Sequence, residues 1–297
     1  MQTISTSGRV VLLPVLLAGV LLVGRGALAQ SKPVAQHEPG APDSLETKVA
    51  DPDALLAKAG QLYYSYARTG SGLDGFDCAV HPDWSKIVLI ANKGVPSAAD
   101  SEHVRLLNRV KLSLHARLKD ESQLDWEEPT TPGKPLDPDS VTLLTKMHQA
   151  TEQTVQGFLR FWAPFINGSA VPDSSHGIEI TQTAKGYKLA AAQGGTSVTE
   201  RFDSQLVLEE FRVAINGMAA DFAPSYKPSA KGLLISGFTA NIQPPASTGE
   251  PSQQMHVAIA YQPIDGFPIP ATLTMDVVNT GKLDFVFDGC KVNQTPR

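Results

Sequence analysis

From Gly177 to Asn293 the chain reads as one strand after another with turn residues between them, and a run of that length commits it to a large antiparallel sheet. Ile178 and Ile180 alternate with Glu179 and Thr181, Lys185-Gly186 turns the chain, Tyr187 to Ala192 returns, and Gly194-Gly195 turns it again before Ser197 to Phe202. Alternation with period two sends successive side chains to opposite faces, and glycine supplies the positive φ that tight hairpins require. Leu206 to Val213 continues the series, and a polar, proline-bearing segment around Pro224 and Pro228 leads into Gly232 to Ile242. Met255, Val257, Ile259 and Tyr261 then share a face, Asp265-Gly266 turns, and Ile269, Ala271, Leu273, Met275 and Val277 share the next. Leu283, Phe285 and Phe287 end the run, with Gly289 expected as a bulge that shifts the alternation before Cys290.

The first half supplies fewer strands and the helices that a one-sided apolar sheet needs for cover. Phe76, Cys78 and Val80 alternate with Asp77 and Ala79, and Val110 to Leu118 alternates without a fault against Lys111, Ser113, His115 and Arg117, with Leu124 to Trp126 as a short partner. Asp51-Pro52 opens a helix whose stripe is Leu55, Ala59, Leu62, Tyr63 and Tyr66, stopped by Gly70. Asp83 caps a short helix from Lys86 to Asn92, although Ile87-Val88-Leu89-Ile90 also fits a buried strand. Asp137-Pro138 opens the longest helix, with Leu144, Met147, Val155, Phe158, Leu159 and Trp162 on one stripe and Pro164 as its stop. The fold class expected is α+β: a large curved antiparallel sheet, an unclosed half-barrel of about 10–11 strands, covered by two or more amphipathic helices.

Val10 to Gly24 is an apolar run preceded by Arg9 and followed by Ala27-Leu28-Ala29, the pattern of a signal peptide cleaved after Ala29. The expected organisation is a signal peptide over 1–29, a disordered proline-bearing linker over 30–50, one domain over 51–293 and a tail over 294–297. Net charge is −5, and losing Arg9 and Arg25 with the signal makes it more negative. Nucleic acid is excluded as a partner on that balance, because phosphates demand a concentrated basic surface.

The chain has 2 cysteines, Cys78 on the first strand and Cys290 on the last, and in an exported protein that count reads as a disulfide. The competing reading, Cys78-Ala79-Val80-His81 as half of a metal or nucleophile site, lacks a second Cys/His pair at ligand spacing. Gly70-Ser71-Gly72-Leu73-Asp74-Gly75 matches a dinucleotide-phosphate string, but a helix precedes it and a strand follows, the reverse of what phosphate binding needs. None of the 7 histidines forms an H-E-x-x-H pair, and G-x-S-x-G and P-loop strings are absent. No enzyme chemistry, cofactor or metal is therefore expected. Convergence of Asp74, Asp77, Asp83, Glu209 or Glu210 cannot be read from a single sequence, and solvated surface charge is their default.

The order of parts resembles the LolA superfamily of periplasmic lipoprotein carriers. The likeness rests on the helix from Asp51, the Gly75-Phe76-Asp77 start of the first strand, and the Ile264-Asp265-Gly266-Phe267-Pro268-Ile269-Pro270 hairpin. Two closing strands follow, ending at Cys290-Lys291-Val292-Asn293, and the stretch from Trp84 to Arg109 is long beside the simplest members. The resemblance implies an unclosed antiparallel barrel covered by helices around an apolar cavity for acyl chains, and it transfers no functional residue. Core packing is the default role of the aromatic stripe on the long helix. As a lid over a cavity, the same stripe would make Leu144, Met147, Val155, Phe158 and Trp162 lining residues, with Phe161 and Phe165 beside them. Leu112, Leu114, Ile259, Leu273 and Met275 would line the facing sheet. The function expected is a non-enzymatic periplasmic carrier or binder of a lipid-like, acylated ligand. The other reading is an envelope scaffold that binds envelope proteins on the same fold without a ligand.

Overall fold

The computed structural model describes residues 46–66, 73–91, 101–118, 121–129, 136–168 and 170–294. In chain order they form β1 (Thr47–Lys48), α1 (Pro52–Gly60), β2 (Leu73–Pro82), α2 (Trp84–Ala91), α3 (Glu102–Leu107), β3 (Lys111–Arg117), β4 (Gln123–Glu127) and α4 (Pro138–Asn167). Nine further strands follow: β5 (Glu179–Gln182), β6 (Gly186–Gln193), β7 (Thr196–Asp203), β8 (Leu208–Ile215), β9 (Met218–Ser229), β10 (Gly232–Gln243), β11 (Gln253–Ile264), β12 (Phe267–Val277) and β13 (Gly281–Gln294). The expected signal peptide, most of the linker and Gly70 to Gly72 lie outside the described residues. The class is α+β, dominated by open antiparallel sheet. Thirteen strands replace the 10–11 expected; the additions are β1, inside the stretch expected as linker, and β9.

The chain divides into two compact units, each built from two separated segments: residues up to Tyr64 with Ser169–Gln254, and Ser65–Gly168 with Met255 onward. In the first unit the strand order is β1-β5-β6-β7-β8-β9-β10, a meander of antiparallel hairpins with β1 added outside β5. Its core includes Phe211 and Phe222, paired across β8 and β9 with their rings stacked at 4.6 Å, and Phe238, edge-on to Phe222 at 5.9 Å. Such offset aromatic contacts add to the burial of the rings themselves. Sequence reading passed over β9 because of Pro224 and Pro228. Both pair with β10, but β8 reaches only as far as Phe222, so each proline sits where no ladder on the β8 side asks for its missing N–H.

Helix α1 is capped by Asp51, whose carboxylate accepts from the Ala54 N–H at 3.0 Å, but it ends at Gly60 and does not run on to Gly70. The chain is instead drawn out beside β10: the Leu233 N–H donates to the Leu62 carbonyl at 2.7 Å and the Tyr64 N–H to the Leu233 carbonyl at 2.8 Å. That approach requires Gly232, since a Cβ there would stand 2.7 Å from the Leu62 oxygen. The Tyr63 hydroxyl donates to the Leu206 carbonyl at 3.1 Å and accepts from the Leu208 N–H at 2.6 Å, holding a turn in which Leu206 has φ 66°. Only Leu56 and Ala59 of α1 are buried, so this helix is a smaller cover than its sequence stripe implied.

In the second unit the order is β11-β12-β13-β2-β3-β4. Two meanders, β2-β3-β4 and β11-β12-β13, come from distant parts of the chain and join through the antiparallel β13–β2 ladder. At the joint, Asp288 pairs with Ala79 and Lys291 with Asp77, so Gly289 and Cys290 together oppose Cys78. Gly289 takes φ 57°, the left-handed residue of a bulge, and the inserted position brings Cys290 onto the face of Phe287 and Val80. There it is bonded to Cys78, with Cα atoms 4.2 Å apart and a sequence separation of 212. On the chain-entropy relation a loop of that length stabilises by about 5 kcal/mol, an upper figure.

Helix α4 packs on this second sheet and is 30 residues long. Pro164 does not end it, because a proline in the last turn costs one intrahelical bond and the closing carbonyls find other donors. The Tyr66 N–H donates to the Ile166 carbonyl at 2.8 Å, and the Ser65 hydroxyl to the Asn167 carbonyl at 3.0 Å.

Replacing Gly289 by alanine tests the bulge. A Cβ at that position meets nothing within 4 Å, so its cost is the left-handed backbone alone, about 1 kcal/mol. Urea denaturation of Gly289→Ala is expected to show that loss with the disulfide intact; an unchanged midpoint would contradict the bulge geometry.

Candidate functional site

The second unit holds a recess where apolar and polar groups converge, built by α2, α4 and β13. Asp83 ends the turn after β2 and caps α2, its carboxylate accepting from the Ser85 hydroxyl at 2.5 Å and the Lys86 N–H at 3.3 Å. The same turn is tied to β13: the Asp83 N–H donates to the Asp284 carbonyl at 2.9 Å, and Lys86 Nζ lies 2.5 Å from the Asp284 carboxylate and 3.0 Å from that of Asp83. One turn later Ile87 and Ile90 form one wall of the recess. Ile90 lies over Gly281, where a Cβ would come within 2.6 Å of it.

Helix α4 has two halves with different jobs. It starts at Asp137, which accepts from the Ser140 N–H at 2.9 Å. Its C-terminal half is core: Phe158 stacks between Trp162 at 6.1 Å and Phe287 at 6.4 Å, and Trp162 stands edge-on to Phe76 at 5.9 Å. The Trp162 indole N–H donates to the Tyr261 hydroxyl at 2.9 Å, satisfying a polar atom that burial would otherwise leave without a partner. Its N-terminal half faces the recess with Met147 and Ala150 and with Lys146, Gln149, Thr151, Gln153 and Thr154. Leu283 and Phe285 of β13 form the buried floor. The cleft has a volume of about 360 Å³, at the small end of the range for ligand pockets, roughly 300–1,000 Å³.

Of the ten residues that the sequence offered as lining, Met147 lines this cleft. Leu144, Val155, Trp162 and Leu273 have no exposed surface, and Phe158, Leu112, Leu114, Ile259 and Met275 are buried in the core of the unit. Leu273 and Met275 stand one strand behind the floor, paired with Phe285 and Leu283. Sequence reading missed Ile87, Ile90, Leu283 and Phe285 as lining residues, and the polar wall of α4 with them. One signal was present: Thr151 interrupts the stripe that runs through Leu144, Val155, Phe158 and Trp162.

A second cluster occupies the opposite face of β2, β3 and β4. His115 Nδ1 lies 2.8 Å from the Asp77 carboxylate and Nε2 3.3 Å from that of Asp125, while Arg117 donates to Asp77 at 3.1 Å and Asn293 at 2.8 Å. Burial opposes ionisation of Asp77, but the hydrogen bonds from Asn293, His115 and Arg117 outweigh it and hold the carboxyl below its usual range. The ion-paired side chains are a third or more exposed, so the network ties four strands, β13, β2, β3 and β4, together at modest energetic gain. Glu210, another of the carboxylates singled out, pairs with Arg201. Among the described residues no three His, Cys, Asp or Glu side chains come together as metal ligands, and no helix is long and apolar enough to cross a membrane.

No protein-family model, curated protein or solved structure shows significant similarity to the chain.

The α2 anchor is pH-dependent, with a definite sign. Burial of Asp83 and Asp284 favours their neutral forms, but hydrogen bonds from Ser85 and Lys86 to the first, and from Lys86 and Thr274 to the second, prevail and lower both carboxyls. A lowered carboxyl contributes stability that is complete above its unfolded value, near 4, and is lost as pH falls through the folded value. Denaturant midpoints are expected to be level from about pH 7 to 5 and to fall below about pH 4. Asp284→Asn should lower the plateau and flatten that fall; an Asp284→Asn profile parallel to the parent's would contradict the anchor.

Proposed function

We propose that the protein is an exported, non-enzymatic binder or carrier of a lipid-like ligand, and that the cleft of the second unit receives the ligand's chain. The observation that carries this reading is the composition of the cleft: part-exposed Ile87, Ile90 and Met147 over a floor of Leu283 and Phe285, along a rim of amide, hydroxyl and ammonium groups. Apolar surface of that kind is stabilised when a hydrocarbon chain displaces water from it, and the polar rim orients the chain's head. The Cys78–Cys290 bond supports export, since such bonds persist in oxidising compartments. The open antiparallel sheet with a long helix packed on it is in keeping with the resemblance to the LolA superfamily and with its layout of helices over a curved sheet. The envelope-scaffold reading needs no cleft at all.

Titration with dodecanoate followed by native mass spectrometry tests the assignment. The parent protein is expected to bind one chain, and Ala150→Trp, which fills the cleft from a part-exposed helix position, to bind about tenfold more weakly or not at all with its melting temperature preserved. Equal binding by Ala150→Trp would place the ligand elsewhere; no binding by the parent would sink the carrier reading.

A further inference from the structure

The cleft contains a hydroxyl that the protein itself does not bond. Helix α4 carries threonines at 142, 145, 151 and 154, and Thr142, Thr145 and Thr154 each donate to the carbonyl four residues back, at 2.9, 3.0 and 2.8 Å. Thr151 makes no such bond, although it is 4 % exposed and lines the cleft beside Leu283 and Phe285. Its oxygen is open to the cleft and is not among the buried side-chain atoms without a partner, so a guest that covers it without bonding to it buries it at a cost. Five residues earlier, a rise of about 7.5 Å along the helix, Lys146 stands exposed on the rim. Lys86 on α2 is committed to Asp83 and Asp284; among the lining residues Lys146 is the cation.

We propose that the cleft selects a single-chain acyl carboxylate bearing a hydroxyl close to its head group, with the carboxylate at Lys146 and the hydroxyl at Thr151. This rests on the ligand-binding reading above and specifies its chemistry. The volume, about 360 Å³, lies at the small end of the range for ligand pockets, roughly 300–1,000 Å³, which suits one slender chain better than two. A single lysine at mid-helix, with no arginine fork and no helix N-terminus beside it, suits a monovalent carboxylate better than a phosphate. A chain without oxygen at the depth of Thr151 buries that hydroxyl unpaired, whereas a hydroxylated chain can both donate to it and accept from it.

The test compares dodecanoate, 3-hydroxydodecanoate and dodecanol, below their micelle concentrations, by calorimetric titration on four proteins: parent, Thr151→Val, Thr151→Ser and Lys146→Gln. The parent is expected to prefer 3-hydroxydodecanoate over dodecanoate by about fivefold to tenfold, the worth of one neutral hydrogen bond. Thr151→Val should lose that preference while binding dodecanoate at least as well as the parent, and Thr151→Ser should keep it. Lys146→Gln should weaken both carboxylates alike and leave dodecanol unchanged. Equal affinity of the parent for the two carboxylates, or a preference that survives in Thr151→Val, overturns the hydroxyl assignment while leaving chain binding intact. Failure of all three probes to bind overturns both.

Discussion

The β13–β2 ladder is the interaction on which the second unit depends. It is where two meanders from distant parts of the chain become one sheet, and each contributes residues to the recess that the other completes. β13 brings the floor residues Leu283 and Phe285 and the Asp284 anchor; β2 runs into Asp83 and so aims α2 and its isoleucines. Pairing of distant segments is slow to form because loop-closure entropy is lost before the contacts compensate for it. The disulfide removes most of that cost from the folded–unfolded balance, and the Gly289 bulge lets it form, since without the inserted residue Cys290 would point away from Cys78.

Tight packing and open space are divided along α4. Its C-terminal half is fixed by interlocked aromatic rings and by the Trp162–Tyr261 hydrogen bond, and truncating a ring in such packing typically costs about 3–5 kcal/mol. The N-terminal half turns amides, hydroxyls and one ammonium toward Ile87, Ile90 and Met147 and leaves a gap. A rigid aromatic core at one end of a helix is what allows the other end to stand off the sheet without collapsing onto it.

Much of the fold was legible because its signals are local. Asp51, Asp83 and Asp137 each cap the helix expected of them, the period-two run at Val110 to Leu118 is β3, and Gly289 is a bulge. What failed depended on partners that a sequence does not show. Pro224 and Pro228 hid β9 because their tolerance comes from the reach of β8, and Pro164 failed to stop α4 because Ser65 and Tyr66 supply donors from far along the chain. The candidate lining residues were chosen for greasiness, and the greasiest positions are the ones that pack completely, Leu144, Trp162 and Leu273 among them. A cleft is lined by what packing leaves over: half-exposed isoleucines, a methionine and a misplaced threonine.

Under the proposed function the recess under the N-terminal half of α4 receives a hydrocarbon chain. Methyl-labelled NMR of isoleucine, leucine and methionine side chains, recorded with and without dodecanoate, tests this residue by residue. Shifts are expected at Met147, Ile87, Ile90 and Leu283, with the methyls of Leu112 and Leu144 nearly unmoved. Shifts confined to other residues, or none at saturating dodecanoate, would contradict it.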